Sequence, residues 1–195
     1  MQLPQIDNLT CHHLGEKSQD VADIETFEII HPETGRGLEL YLKDHALSDE
    51  KSGVMRTYLV RFRPSGELVG YFSLKAGLVS HNEEASSDTV TFDTLPGVEL
   101  ANFAINSAFL KKHNVKGLGY VLFSRLIAPF VKEHAKTLGI YMLYLFALPY
   151  ERLMKTYENY GFYRLPPKAE NQLHQRLKPA YDESCIFMYQ PLSEM

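Results

Sequence analysis

The sequence is poor in several features that would assign it elsewhere. Its two cysteines, Cys11 and Cys185, lie far apart and form no C-x-x-C pair, which excludes a disulfide framework and a dithiol redox motif. Two free thiols are expected, with Cys185 packing inside the strand-like run 184–189. No stretch of 18 apolar residues occurs and the start MQLPQIDNLTCHHLGEK lacks the pattern of a signal peptide, so neither a membrane span nor secretion is expected. A cytoplasmic protein that does not engage membranes follows as the expectation. The eight histidines are scattered without H-E-x-x-H or His/Cys spacing, so no metal ligands are assigned. The absence of a P-loop and of G-x-S-x-G argues against NTPases and serine hydrolases. There are no internal repeats and no long low-complexity tract.

What is present fits one packed domain over residues 1–195, since 45% of the chain is hydrophobic. Charge is unevenly placed. Residues 1–50 hold eleven Asp or Glu against three Lys or Arg, whereas the remainder holds thirteen against seventeen. The basic excess gathers at Lys111, Lys112, Lys116, Arg125 and Lys132, in a segment from 106 to 132 that has no carboxylate. Such a segment attracts a phosphate-rich ligand.

Along the chain, residues 1–25 have little periodicity and read as an irregular arm, with a core expected over 57–190. TFEIIH at 26–31 reads as a short strand, 35–46 as a helix and 49–54 as a polar loop. The alternating run 57–62 turns at Pro64-Ser65-Gly66 into 67–79, a β-hairpin. HNEEASSD at 81–88 reads as a loop, and Leu95-Pro96-Gly97 leads into the strand VELANFAI at 98–105. Glu99 inside this apolar strand needs a reason, either a structural partner or a chemical role.

Asn114-Val115-Lys116-Gly117-Leu118-Gly119 then opens a helical run with apolar residues at Leu118, Leu122 and Leu126 and again at Phe123, Ile127 and Val131. Glycines at a helix start let backbone N–H groups approach an anion such as a diphosphate. Pro129 predicts a kink at 127–130. Residues 139–147 read as a two-faced central strand, 151–160 as a helix ended by Gly161, and 162–165 as a strand. The stretch 166–182 reads as a long loop, either bordering an acceptor pocket or making a plain surface excursion.

The order of these parts resembles the acetyl-CoA-binding core of the Gcn5-related N-acetyltransferases, most specifically from Glu99 to Phe162. Its glycine pattern Gln/Arg-x-x-Gly-x-Gly/Ala is met by Gly117 and Gly119, with Asn114 standing at the first position. The pattern Tyr-x-x-x-Gly-Phe is met by Tyr157, Gly161 and Phe162. The resemblance implies an α/β (α+β) fold: a mixed, mostly antiparallel central sheet with splayed central strands and helices on both faces. It implies acetyl-CoA as cosubstrate, held by the backbone of Phe103, Ala104 and Ile105 and by the turn Asn114, Val115, Lys116, Gly117, Leu118, Gly119 and Tyr120. It makes Tyr157 the general acid for the leaving thiolate and Glu99 the candidate general base, and it puts Tyr150 where the family often has an Asn that contacts the cofactor. The implied activity is direct transfer of an acetyl group to a primary amine, by a monomer or homodimer.

A narrower likeness, carried by a Leu-rich helix, a Tyr-Leu-Val strand and Gly-Tyr-Phe-Ser-Leu at 70–74, is to acetyltransferase toxins that modify the amino group of aminoacyl-tRNA. That implies a tRNA acceptor, which the acidic first quarter and net charge of −4 disfavour. A CoA-binding interaction module without transfer chemistry is the other alternative.

Overall fold

The computed structural model describes residues 8–30, 32–82, 92–179 and 182–195. In chain order the elements are β1 (Leu9–His13), α1 (Asp20–Glu25), α2 (Pro32–Leu40), a π-helical turn (Tyr41–His45), α3 (Ala46–Ser52), β2 (Arg56–Phe62), β3 (Leu68–Asn82) and β4 (Phe92–Ile105). There follow α4 (Ser107–His113), α5 (Leu118–Leu122), a second π-helical turn (Phe123–Ile127), α6 (Ala128–Leu138), β5 (Met142–Ala147), α7 (Glu151–Asn159), β6 (Tyr163–Arg164), α8 (Pro167–His174), β7 (Ile186–Pro191) and a 3-10 turn (Leu192–Glu194). Hydrogen bonding orders the strands β1-β2-β3-β4-β5-β7-β6 in a seven-stranded mixed sheet. Pairing is antiparallel in β1–β2, β2–β3, β5–β7 and β6–β7 and parallel in β4–β5. The parallel register runs over Gly97↔Met142, Val98↔Leu143 and Glu99↔Tyr144.

The chain divides into two compact units, Met1–Lys75 with Leu100–Leu126 and Ala76–Glu99 with Ile127–Met195. In the first, Ile24, Phe27, Tyr41, Leu42, Leu59, Tyr71 and Ala104 form a buried cluster. Beside it Asp20, with no exposed surface, accepts from the Arg61 guanidinium at 2.8 Å, from His12 Nε2 at 3.0 Å and from the backbone N–H groups of Gly15 and Lys17. A buried carboxylate needs such a shell of donors. In the second unit the core cluster is Val79, Met142, Tyr144, Leu173 and Phe187.

Several sequence expectations change. The arm expected to be irregular contains β1 and α1: LTCHH has a weak apolar pattern of its own, and pairing with β2, from Leu9↔Phe62 to His13↔Tyr58, makes it a strand. Residues 26–30, read as strand, are not one; His31 lies outside the described residues. The helix of 35–46 begins earlier and continues through the expected loop to Ser52, where Gly53 caps it in the left-handed region at φ 76°. β4 runs back through Pro96 and Gly97 to Phe92, with the Pro96 carbonyl accepting from Tyr141 N–H at 2.8 Å. Of the loop expected at 81–88, residues 81 and 82 belong to β3 and the rest lie outside the described residues.

Pro129 sits in the first turn of α6, directly after a π turn. Its missing N–H would break an α ladder, and the wider π turn at 123–127 is where the regular pattern gives way. The stretch 166–182 is not a bare loop, because Pro167 starts α8 at the position where proline is tolerated in a helix.

Candidate active site

The candidates fall in two sets, one in each unit. In the first, β4 ends in Phe103, Ala104 and Ile105, with Ala104 buried in the core cluster. Asn106 follows and locks the end of the strand. Its N–H donates to the Val69 carbonyl at 2.8 Å, its side-chain amide donates to the Leu68 carbonyl at 3.0 Å, and its side-chain oxygen caps α4 by accepting from Ala108 N–H at 3.0 Å. Gly70 on β3 allows this close approach, since a Cβ there would lie 2.6 Å from the Ala104 carbonyl oxygen.

Helix α4 ends at Asn114 in the left-handed region, φ 47°, with Val115 N–H donating back to the Leu110 carbonyl at 3.3 Å. Asparagine tolerates that backbone better than most side chains. This explains Asn114 at the first position of the glycine pattern: it terminates a helix. Three residues later Gly117 is again left-handed, φ 74°, and precedes α5. A Cβ on Gly117 would meet nothing within 4 Å, so its backbone conformation, rather than crowding, requires glycine. Residues 118–120 are the first turn, whose N–H groups have no partner within the helix, and Tyr120 is 54% exposed.

The charge reading is corrected in part. Lys112 and His113 both bond Glu67, at 2.7 and 3.1 Å, and Lys112 first, then Ser65 and His113, hold that carboxyl down to about 2. Lys132 donates to the Met195 carbonyl oxygen. Lys111, Lys116 and Arg125 carry no ion pair among the described residues.

In the second unit, Glu99 lies opposite Tyr144 in the parallel register, and Tyr144 is hydrogen-bonded to it. Burial, then the Glu99 charge and that bond, push the Tyr144 hydroxyl well above its ordinary pKa. Two glycines make the room: a Cβ at Gly97 would lie 3.0 Å from the Tyr144 ring, and one at Gly77 would collide with its hydroxyl. Tyr144 is 1% exposed and packs on Phe187, centroids 5.5 Å apart. Sequence reasoning missed Tyr144. The signal available was a pair of glycines inside strands, where glycine marks a close approach.

Tyr150 precedes α7; its carbonyl accepts from Leu153 and Met154 N–H, and the residue is 47% exposed. Tyr157 lies in the last turn of the same helix. Gly161 N–H donates to the Glu158 carbonyl at 2.9 Å and Phe162 N–H to the Tyr157 carbonyl at 3.0 Å, while Gly161 is left-handed at φ 94°. That is a Schellman motif, including its apolar contact, because the Tyr157 and Phe162 rings meet at 5.8 Å and 74°. The Tyr160 ring stands edge-on to Tyr157 at 6.0 Å. Desolvation, with a smaller contribution from Tyr160, raises the Tyr157 hydroxyl above the usual tyrosine range, so it holds its proton at neutral pH.

A cavity of about 240 Å³ also lies within the second unit, lined in part by Leu95, Met142, Leu173, Phe187 and Arg176. Cys185 is buried, which pushes its thiol up to about 11 and suits packing rather than nucleophilic chemistry. Among the described residues no cluster of His, Cys, Asp or Glu could hold a metal ion, and no helix is long and apolar enough to cross a membrane.

No protein-family model matches the chain. Solved structures do. A mutant of the AtaT toxin aligns with TM-score 0.69 at 19% identity, over 100% of this chain and 94% of that one. The mutant toxin bound to the C-terminus of the antitoxin AtaR and acetyl-CoA gives 0.66 at 21%, over 96% and 95%. AtaT complexed with acetyl-methionyl-tRNAfMet gives 0.63 at 18%, over 95% and 95%. Likeness at this identity, across whole chains, is a likeness of fold. The chain has the Gcn5-related N-acetyltransferase fold, in the form it shares with the AtaT toxin.

Proposed function

We propose that the protein is an acetyl-CoA-dependent N-acetyltransferase that moves the acetyl group directly to a primary amine. The observation that carries this reading is the turn at 114–119. Two left-handed residues, Asn114 and Gly117, set up α5, and Gly117 faces open space in a segment without carboxylates. Backbone donors at a helix start in such a field suit a diphosphate.

When bound, acetyl-CoA supplies an activated acyl group as a thioester. Glu99 takes a proton from the acceptor ammonium, directly or through water, so that the amine lone pair can form the new C–N bond. Tyr157 gives its proton to the sulfur as the C–S bond breaks. Its raised pKa keeps the proton in place until the thiolate develops. Tyr144 fixes the Glu99 carboxylate through the bond described above.

Transfer of labelled acetyl groups across a panel of amines tests the reading. Activity in the wild type, reduced about 100-fold in kcat by Tyr157→Phe with acetyl-CoA affinity kept, is the expected result. Full activity in that variant removes Tyr157 from the mechanism.

Charged tRNA is the second acceptor reading, favoured by whole-chain likeness to AtaT, which has been captured with acetyl-methionyl-tRNAfMet. It expects activity to fall steeply as salt rises from about 50 to 200 mM. Activity indifferent to salt contradicts it.

A further inference from the structure

A cavity of about 400 Å³ lies within the first unit. Three segments meet around it: the end of α1 through Asp23, the turn from β2 to β3 through Glu67, and α4 through Ala108 and Lys112. Arg61 and Asn106 reach its wall from buried positions, the Arg61 side chain being 4% exposed and Asn106 5%. The acyl-transfer chemistry uses none of these side chains.

Bonding around the wall leaves capacity of both signs, on different segments. Arg61 Nη1 donates to the Gly66 carbonyl at 3.1 Å and pairs with Asp23 Oδ2 at 2.7 Å, while Nη2 donates to Asp20 at 2.8 Å. Two carboxylates already neutralise this guanidinium, so a simple anion gains little from it. Glu67 bonds Lys112, Ser65 and His113 at 2.7, 2.6 and 3.1 Å, which fills three of a carboxylate's roughly four lone-pair sites. Asp23 pairs with Arg61 through one oxygen and its side chain is 35% exposed, leaving lone pairs for a further donor on the α1 wall. Lys112 gives one N–H to Glu67 and is 65% exposed, leaving donors for a further acceptor on the α4 wall.

A plain anion entering here meets Asp23 and Glu67 as like charges, and a plain cation meets Arg61 and Lys112. A molecule with an ammonium at one end and a carboxylate at the other meets an opposite charge at each end. An apolar cavity of about 150 Å³ takes up benzene, so about 400 Å³ admits an amino acid or a dipeptide.

We infer that this cavity binds a small peptide-type zwitterion, an amino acid or a dipeptide, with its ammonium on Asp23 and its carboxylate on Lys112. Such a ligand bridges α1 and α4. It is not the acetyl acceptor, because an ammonium held by a carboxylate keeps its proton and has no lone pair with which to attack. The site is independent of acyl transfer, and binding to it is measurable without acetyl-CoA.

Calorimetric titration of the full chain, in the absence of acetyl-CoA, with L-serine and glycyl-L-serine beside N-acetyl-L-serine and L-serinamide is the test. The first two carry both charges and the last two carry one each. At least one zwitterion should bind with a Kd of about 1 mM or tighter, and both singly charged forms about 10-fold more weakly. Ala108→Trp fills the cavity from an exposed position of α4 and should weaken the zwitterion about 10-fold. Lys112→Met, at an exposed side chain, should remove the preference for the zwitterion over L-serinamide while leaving L-serinamide binding as it was. General loss of structure does not produce that split. No binding of either zwitterion up to about 10 mM, singly charged forms that bind equally well, or unaltered affinities in both folded variants each overturns the assignment. Ala108→Trp should keep its affinity for acetyl-CoA, so failure of this site and failure of the transferase reading are told apart.

Discussion

The Tyr157 carbonyl accepts from the Phe162 N–H at 3.0 Å, and the two rings meet at 5.8 Å, so one motif both ends α7 and fixes the candidate acid. Gly161 makes this geometry available through its φ of 94°, and a Cβ there would lie 2.5 Å from Gln190 Nε2. Gly161→Ala should therefore cost about 1–3 kcal/mol of stability and lower transfer more than acetyl-CoA binding. Thermal melts beside kinetics check this. A melt unchanged from wild type contradicts the geometry.

Gly117 gives the complementary case. Its backbone is left-handed but the space around it is open, so Gly117→Ala should lose about 1 kcal/mol and keep most acetyl-CoA affinity. Gly117→Asp has the same backbone handicap plus a negative charge facing the diphosphate. Affinity should fall at least 10-fold further in the Asp variant, and equal affinities would show that no anion binds there.

Tyr144→Phe removes a donor to Glu99. A hydrogen bond to a carboxylate favours its charged form, so its loss raises the Glu99 pKa and moves the acid limb of the kcat/KM profile to higher pH. A lower kcat/KM with an unmoved limb would mean that Tyr144 supports the fold without tuning the base.

Acid should loosen the first unit in two ways. Burial works to raise the Asp20 pKa, but donors from His12, Arg61, Lys17 and Gly15 outweigh it and the net shift is downward. Glu67 is held near 2, against 4.5 without its partners. Both folded-state values are depressed, so the stabilisation is complete above the unfolded pKa of about 4–4.5 and lost as pH falls through the folded values. Asp20→Asn should cost about 3 kcal/mol at pH 7, because it strips a buried guanidinium of its fully buried counter-charge and leaves only the half-exposed Asp23 at 2.7 Å. Glu67→Gln, at a pair whose lysine is 65% exposed, should cost about 1 kcal/mol or less. Denaturant melts at pH 7 and pH 3 check the order, and the difference between wild type and Asp20→Asn should shrink at pH 3.

Short-range features were legible in the sequence. The hairpin at 57–79, the start of α5 and the end of α7 depend on residues within a turn of one another, and glycine and proline announce them. Long-range features were not. β1 is a strand because β2 pairs with it, and Leu9–His13 alone shows little alternation. Tyr144 reaches Glu99 across a parallel pair 45 positions apart, a relation that no local pattern encodes. The basic cluster was visible as charge, but its partial neutralisation by Glu67 depends on the fold. Helix α8 had a usable start signal in Pro166-Pro167, which the polar composition of the stretch obscured.

Calorimetric titration of the purified wild type and of Gly117→Asp with acetyl-CoA is the most direct measurement. Micromolar binding by the wild type, abolished in a variant that stays folded, is the expected result and would place the diphosphate at the turn. No binding by well-folded wild-type protein would contradict the acetyltransferase reading and leave the fold without that cosubstrate.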